Sequence, residues 1–280
     1  MAEDWQPRLV ALDIDGTILK WVEGSGTTHE EVSPAVKDAV RRVLDAGAHV
    51  VLASGRSPHG MAPIADLLDL HGPDRERLWV VASNGAVVFR YPPLEVVHEE
   101  TFDARPAVQA ILERHPEALV AVEERGVGYR VNSHFPEGEL SGDMIVTDVD
   151  DLLSAEVSRV IIRDPNSTAD EFVALARELG LHGTNYVVGW TAWLDLAPVG
   201  VSKASGLEHV AQALGLTAGD ALAVGDGRND LEMFAWAHRS VAMGQAIQLV
   251  IDAADDVTDS VYEDGLATEL SRWFPDRRTA

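Results

Sequence analysis

The chain has 280 residues, 46% of them hydrophobic and 24% charged, a balance that supports a packed core and excludes an intrinsically disordered sequence. Its 46 acidic and 22 basic residues leave a formal charge of −24, which opposes nucleic acid and anionic membrane surfaces as partners. There is no cysteine, so disulfide and thiolate chemistry are excluded and a cytoplasmic setting is expected. The first residues lack the basic start and apolar stretch of a secretory signal, and no apolar run approaches the roughly 18 residues that a membrane-spanning helix needs.

Leu9 to Asp13 is a continuous apolar run of strand length that ends in two aspartates, Asp13 and Asp15, followed by Gly16 and Thr17. Unbroken apolarity is the pattern of a parallel strand covered on both faces. Ser33 and Pro34 are an N-cap and first helical residue ahead of Val36, Val40, Val43 and Leu44, so a helix is expected to close near Gly47. His49 to Ser54 is a second buried strand, followed by Gly55, Arg56 and a helix after Pro58. A third strand begins at Leu78 and ends in Ser83, Asn84 and Gly85. Strand and helix in alternation predict a doubly wound α/β domain.

From Val87 to about Leu196 the pattern changes to short, partly alternating segments: "VVFR", "EVVHEETF", "LVAVEERG", "VGYRVN", "VSRVIIRD" and "WTAWLDLA". Helices over Arg105 to His115 and Thr168 to Leu179 interrupt them, which suggests an α+β insert of about a hundred residues with its helices on one face. The first pattern then returns with a helix from Ser202 to Leu214, a strand ending at Asp226, a helix from about Asn229 and a short strand "SVAM". The expected organisation is a Rossmann-like core, residues 1–86 and 197–280, holding an inserted α+β domain at 87–196.

Ligands of parallel α/β sheets bind beyond the carboxyl ends of the strands. Four such ends carry Asp13 and Asp15, Ser54 and Gly55, Ser83 and Asn84, and Asp226 with Asn229 and Asp230. Any one of these fits an ordinary turn or cap. Their recurrence at successive strand ends points to one shared crevice. Clustered carboxylates there would repel one another without a cation. Asp13, a nearby main-chain carbonyl and Asp226 offer the hard oxygen ligands that suit Mg²⁺, whereas zinc is poorly served without cysteine or a histidine pair at ligand spacing. A serine, strand-end amides and Lys203 beside such a site could neutralise a phosphoryl group, although Lys203 taken alone reads as a solvated surface residue.

"DIDGT" at 13–17, "ASGR" at 53–56, "SNGA" at 83–86, "GVSKASGL" at 200–207 and "VGDGRND" at 224–230 resemble, in order and spacing, the motifs of haloacid dehalogenase superfamily phosphatases. The insert resembles in position and length the type-2 cap of the Cof-like branch, and "SVAMGQA" at 240–246 resembles that branch's C-terminal pattern, with Gln245 where asparagine is frequent. The resemblance implies a Mg²⁺-dependent phosphomonoesterase acting on small organic phosphates, with phosphorylated sugars as the leading class. Asp13 would be the nucleophile, Asp15 the general acid and base, and Asp13, Asp226 and the main-chain carbonyl of Asp15 the metal ligands. Ser54, the amide of Gly55, Lys203 and Asn229 would hold phosphoryl oxygens, with Asp230 orienting Lys203 or a metal-bound water. Arg56 reads equally as a contact to substrate or a cap carboxylate and as a surface ion pair. Trp190 and Trp193 read as packing within the cap sheet ahead of stacking on a sugar. A phosphomutase or phosphotransferase using the same aspartyl step is one alternative, and a non-enzymatic phosphoacceptor resembling a receiver domain is another.

Overall fold

The computed structural model describes residues 5–22, 28–70, 76–124, 127–168, 170–171, 174–175, 178, 184–188 and 193–276. Strand β1 (Leu9–Leu12) lies inside an eight-stranded sheet of order β14-β13-β12-β1-β2-β3-β4-β5. Its members are β2 (His49–Ala53), β3 (Leu78–Ala82), β4 (Val87–Tyr91), β5 (Glu95–Glu99), β12 (Ala221–Gly225), β13 (Arg239–Ala242) and β14 (Asp256–Val257). The strands from β14 to β3 run parallel, and β4 and β5 close that side as an antiparallel hairpin.

The unbroken apolarity of β1 has a direct structural reason. Leu9 and Ala11 pack toward helices α5 (Lys203–Ala213) and α6 (Leu231–Trp236), with Leu207, Val210, Met233 and Phe234. Val10 and Leu12 pack the other way, toward α1 (Pro34–Asp45), α2 (Pro58–Leu67) and α8 (Gly265–Trp273), with Val36, Val40, Ile64 and Leu266. A strand with both faces covered has no solvated position to fill with a polar residue. At the start of α1 the Ser33 hydroxyl accepts the Val36 N–H at 3.2 Å, and Pro34 occupies the first turn. The chain also forms α7 (Gln248–Ala253) on the same side as α6.

The second sheet has six strands in the order β10-β11-β9-β6-β7-β8. They are β6 (Leu119–Glu124), β7 (Gly128–Val131), β8 (Asp143–Val146), β9 (Val160–Arg163), β10 (Thr184–Val188) and β11 (Trp193–Pro198). All neighbouring pairs are antiparallel except β7 and β8. Val120, Val122, Val160, Ile162, Leu194 and Leu196 pack on α3 (Arg105–Leu112) and α4 (Val149–Leu152). The intervening residues Glu123, Ile161 and Asp195 therefore occupy the opposite face, by the period of two.

Sequence and structure differ at the start of the insert. The hairpin β4–β5, expected in the insert from Val87, instead pairs with β3, so these residues extend the core sheet and the second sheet begins only at β6. Ser83 and Asn84 adopt left-handed backbone and Gly85 has φ +103°, which reverses the chain so that β4 returns alongside β3. Strands β8, β10 and β14 were not expected, and Arg105 to His115 forms a helix only to Leu112. Of the helix expected over Thr168 to Leu179, residues 170–171, 174–175 and 178 are helical and half of the span lies outside the described residues, as does Trp190. Trp193 packs edge-on against Phe135, with ring centroids 6.1 Å apart.

A buried β2 and an exposed β5 make a testable contrast. Leu52→Ala, at a fully buried position, is expected to lower unfolding stability by about 2–5 kcal/mol. Val97→Ala, on the edge strand and 45% exposed, is expected to stay within about 0.5 kcal/mol. Urea denaturation of the two variants beside the parent chain checks both values.

Candidate active site

The carboxyl ends of β1, β2, β3 and β12 bring Asp13, Ser54, Ser83 and Asp226 to one edge of the core sheet. Helix α5 enters this edge with its first residue. Gly85 permits that approach: a Cβ there would overlap the main-chain oxygen of Ser202. Lys203 is consequently fully buried, and its Nζ donates to Asp13 Oδ1 at 2.5 Å and to Asp230 Oδ1 at 2.6 Å. The solvated reading of Lys203 is excluded by this burial.

Asp230 is a fixed anchor. Its Oδ2 accepts the main-chain N–H groups of Asp226 at 2.9 Å and Gly227 at 2.8 Å, while Oδ1 takes Lys203. Both oxygens are committed, which leaves Asp13 and Asp226 as the carboxylates with capacity for a further partner. Asp226 Oδ2 accepts from the Trp21 indole at 3.0 Å and from Gln245 Nε2 at 3.1 Å. Gln245 also donates to the Gly16 carbonyl at 2.6 Å and accepts the Val261 N–H at 2.8 Å, so it ties three loops together at the rim. Gly16 has φ +86°, and any Cβ there would overlap Asp226 Oδ2.

One carboxylate of each kind of environment follows. Burial pushes the Asp13 carboxyl well above the usual range, opposed by the Lys203 ammonium and reinforced by Asp230, Asp226 and Asp15. Burial likewise raises Asp226 to about 6, against the hydrogen bonds from Trp21 and Gln245. Lys203 is shifted upward because its two carboxylate partners outweigh its own desolvation.

Asp13, Asp226 and Asp230 can bring one oxygen each within 4.8 Å of one another. Asp13 and Asp230 share the Lys203 ammonium, Asp226 has no direct contact with it, and burial pushes both Asp13 and Asp226 upward. Thr17, in the same loop, keeps a buried hydroxyl with no hydrogen-bond partner among the described residues. A hard divalent cation with oxygen ligands fits this donor set. Because both Asp230 oxygens are occupied, Asp13 and Asp226 are the carboxylates that could hold such an ion, while Asp230 holds Lys203.

Asp15 faces another way. Arg56 holds it in a bidentate contact, Nε to Oδ2 at 2.9 Å and NH2 to Oδ1 at 2.6 Å, and the Thr28 hydroxyl donates to Oδ1 at 3.0 Å. In this structure Arg56 is the partner of Asp15. Ser54, almost fully buried, accepts the Arg56 N–H at 3.1 Å. Asn229 donates to Asn84 at 3.0 Å, and Asn84 stands against Gly55, where a Cβ would lie 3.1 Å from its side-chain oxygen.

Sequence reasoning missed Trp21, Thr28, Asn84 as a side-chain partner, and Glu123. The last lies on the free face of the second sheet and accepts the Ser83 hydroxyl at 2.7 and 2.9 Å, which brings that sheet onto the strand ends of the core. Arg159 lies 3.9 Å from Glu123 and pairs closely with Asp195 at 2.9 Å. Charged residues at alternate positions of otherwise apolar strands were the available signal.

Residues 10–270 match the haloacid dehalogenase-like hydrolase family. A putative phosphatase of Bacillus subtilis, YkrA, is 30% identical over 264 residues, covering 93% of this chain and 95% of its own. A phosphoglycolate phosphatase of Natronomonas pharaonis is 29% identical, with 94% and 96% covered. Among solved structures, the phosphatase BT1666 of Bacteroides thetaiotaomicron superposes with a TM-score of 0.78 at 26% identity, over 98% of this chain and 97% of that one. The subclass IIB sugar phosphatase BT4131 shares the fold, with a TM-score of 0.78 at 22% identity, over 95% and 98% of the two chains.

Removing the buried ammonium tests the electrostatic account. Lys203→Met is expected to cost about 3–5 kcal/mol at pH 8 in the presence of a chelator, since breaking a buried ion pair leaves an uncompensated charge. Carboxyls whose folded-state pKa is raised bind more protons folded than unfolded, so this loss should shrink as pH falls toward 5. Thermal or urea unfolding across that range reads the trend.

Proposed function

The chain belongs to the haloacid dehalogenase-like hydrolase family and is a phosphatase of its Cof-like branch, and from that premise we propose that it releases phosphate from small phosphorylated sugars or related polyols through a phosphoaspartyl intermediate, with Mg²⁺ as its cofactor. The observation that carries the reading is the buried Lys203 bridging Asp13 and Asp230 at the meeting of four strand ends. A regulatory phosphoacceptor does not agree with the family and its relatives.

In the proposed sequence an Asp13 oxygen attacks phosphorus while the bond to the leaving oxygen breaks, giving an acyl phosphate on Asp13. Asp15, once it leaves its Arg56 pairing and takes up a proton from solvent, delivers that proton to the leaving alcohol and, again a carboxylate, takes one from the water that attacks phosphorus. Inorganic phosphate leaves and Asp13 is restored. The Ser54 hydroxyl, the Gly55 N–H, Lys203 and Asn229 hold the phosphoryl oxygens, and Asp230 fixes Lys203. Arg56 and Thr28 hold Asp15 until the leaving group competes for it. Mg²⁺, held by Asp13, Asp226 and the Asp15 carbonyl, would neutralise charge on the transferring group.

The leaving-group side supports a polyhydroxyl substrate. Glu123 and Asp195 outnumber Arg159 on the face that reaches Ser83, and Glu123 already accepts two contacts from a hydroxyl. A cleft beside Glu123 is lined by Ser57, His59, Val96, Glu124 and Gly128, between the core and the second sheet. Carboxylates suit sugar hydroxyls and repel the carboxylate of a phosphorylated acid. In this reading residues beyond β5 act as the cap, and the protein works in the cytoplasm. No helix among the described residues is long and apolar enough to cross a membrane.

Phosphate release with Mg²⁺ from phosphorylated sugars, sugar acids and nucleotides, with Asp13→Asn as the blank, tests the proposal. One or a few neutral sugar phosphates should dominate, chelation should abolish release and Mg²⁺ restore it. A preference for phosphorylated acids, transfer of phosphate to a sugar without net release, or activity in Asp13→Asn would overturn it. Glu123→Gln is expected to raise KM for the preferred sugar phosphate about 10- to 100-fold, the range for a hydrogen bond to a charged group, while an aryl phosphate is turned over as before.

A further inference from the structure

We propose that His98, Glu100 and His209 form a second metal site, outside the active site, for a borderline divalent cation such as Zn²⁺, Co²⁺ or Ni²⁺. His98 lies on β5 and Glu100 just after it, two residues on and so on the same face of the edge strand. The main chain of Glu100 is pinned as well, its N–H donating to the Ala86 carbonyl at 2.9 Å. His209 comes from α5, the helix that covers this end of the sheet with Leu207 and Val210 against Val88.

The three side chains converge. His98 and His209 stack with ring centroids 3.7 Å apart and an interplanar angle of 30°. His98 Nε2 lies 3.1 Å from Glu100 Oε1, and the three candidate ligand atoms all fall within 4.8 Å of one another. Donor atoms bound tetrahedrally at 2.0–2.1 Å sit about 3.3 Å apart, so closing the set requires the stacked rings to turn until a nitrogen of each aims at a common point. Two imidazoles with one carboxylate favour Zn²⁺ and its neighbours over Mg²⁺, the reverse of the all-oxygen active site. Neighbouring Glu208 is engaged by Trp236 and Gln212 and does not compete.

The site joins the edge strand to α5. His209 is six residues from Lys203, about 9 Å along the helix axis, so the ion would brace the helix that carries Lys203 without entering the chemistry.

The test is Co²⁺ and Zn²⁺ binding to the full chain with Mg²⁺ in saturating excess, followed by calorimetry and by the visible absorption of Co²⁺. One equivalent should bind with a spectrum of nitrogen–oxygen ligation and raise the melting temperature. His98→Gln and His209→Gln, each shown to melt like the parent in chelator, should each weaken binding at least tenfold, and Asp226→Asn should leave it unchanged. No binding by the parent, affinities within twofold in both histidine variants, or loss of binding in Asp226→Asn would overturn the proposal.

Discussion

One buried ammonium sets the arrangement at the carboxyl edge of the core sheet. Lys203 has no access to water and satisfies its charge on Asp13 and Asp230 alone. A desolvated cation of this kind is tolerable only with partners held in place. The protein meets that demand twice: Asp230 is locked by two main-chain N–H groups of its own loop, and Asp13 extends from a strand packed on both faces. The position of the Asp13 carboxylate is thus inherited from the core.

The remaining elements serve that pairing. Gly85 lets α5 bring its first residue to the strand ends, and Gly16 lets the loop after β1 close on Asp226. Gln245 links this loop to the Val261 turn and to Asp226, so three segments of the rim are tied together on the acidic side. On the opposite side, Arg56 and Thr28 keep Asp15 apart from the Lys203 pair. The two aspartates of one short motif therefore face different partners, which suits the two roles proposed for them. Glu123 and Ser83 join the second sheet to the first, which brings Glu123, with Arg159 and Asp195 beside it, onto the strand ends of the core.

The core was legible because its causes are local or repeat regularly. Leu9 to Leu12 had to be buried on both faces, Ser33 with Pro34 had to start a helix, and Asp, Ser, Asn and Gly recurred at each strand end. What was not legible depends on pairing over distance. "VVFR" and "EVVHEETF" alternate like the strands of the insert, and nothing within them says that their partner is β3; the left-handed turn at Ser83 and Asn84 decides it. The contact of Arg56 with Asp15 spans 41 residues and that of Trp21 with Asp226 spans 205, so neither follows from motif spacing. Gln245 stood out only as a departure from a family pattern, and its three hydrogen bonds give that departure a structural use. Glu123 left a weak trace, a charge at an alternate position beside Ala121.

The central claim is that Asp13, held by Lys203, is the group that receives phosphate. Its most direct test is a single-turnover reaction with a turned-over sugar phosphate, stopped in acid within milliseconds and digested for mass spectrometry. The account requires a phosphoryl group on the peptide carrying Asp13, appearing before free phosphate and decaying as phosphate is released. Full turnover with the Asp13 peptide unmodified at every time point would contradict it.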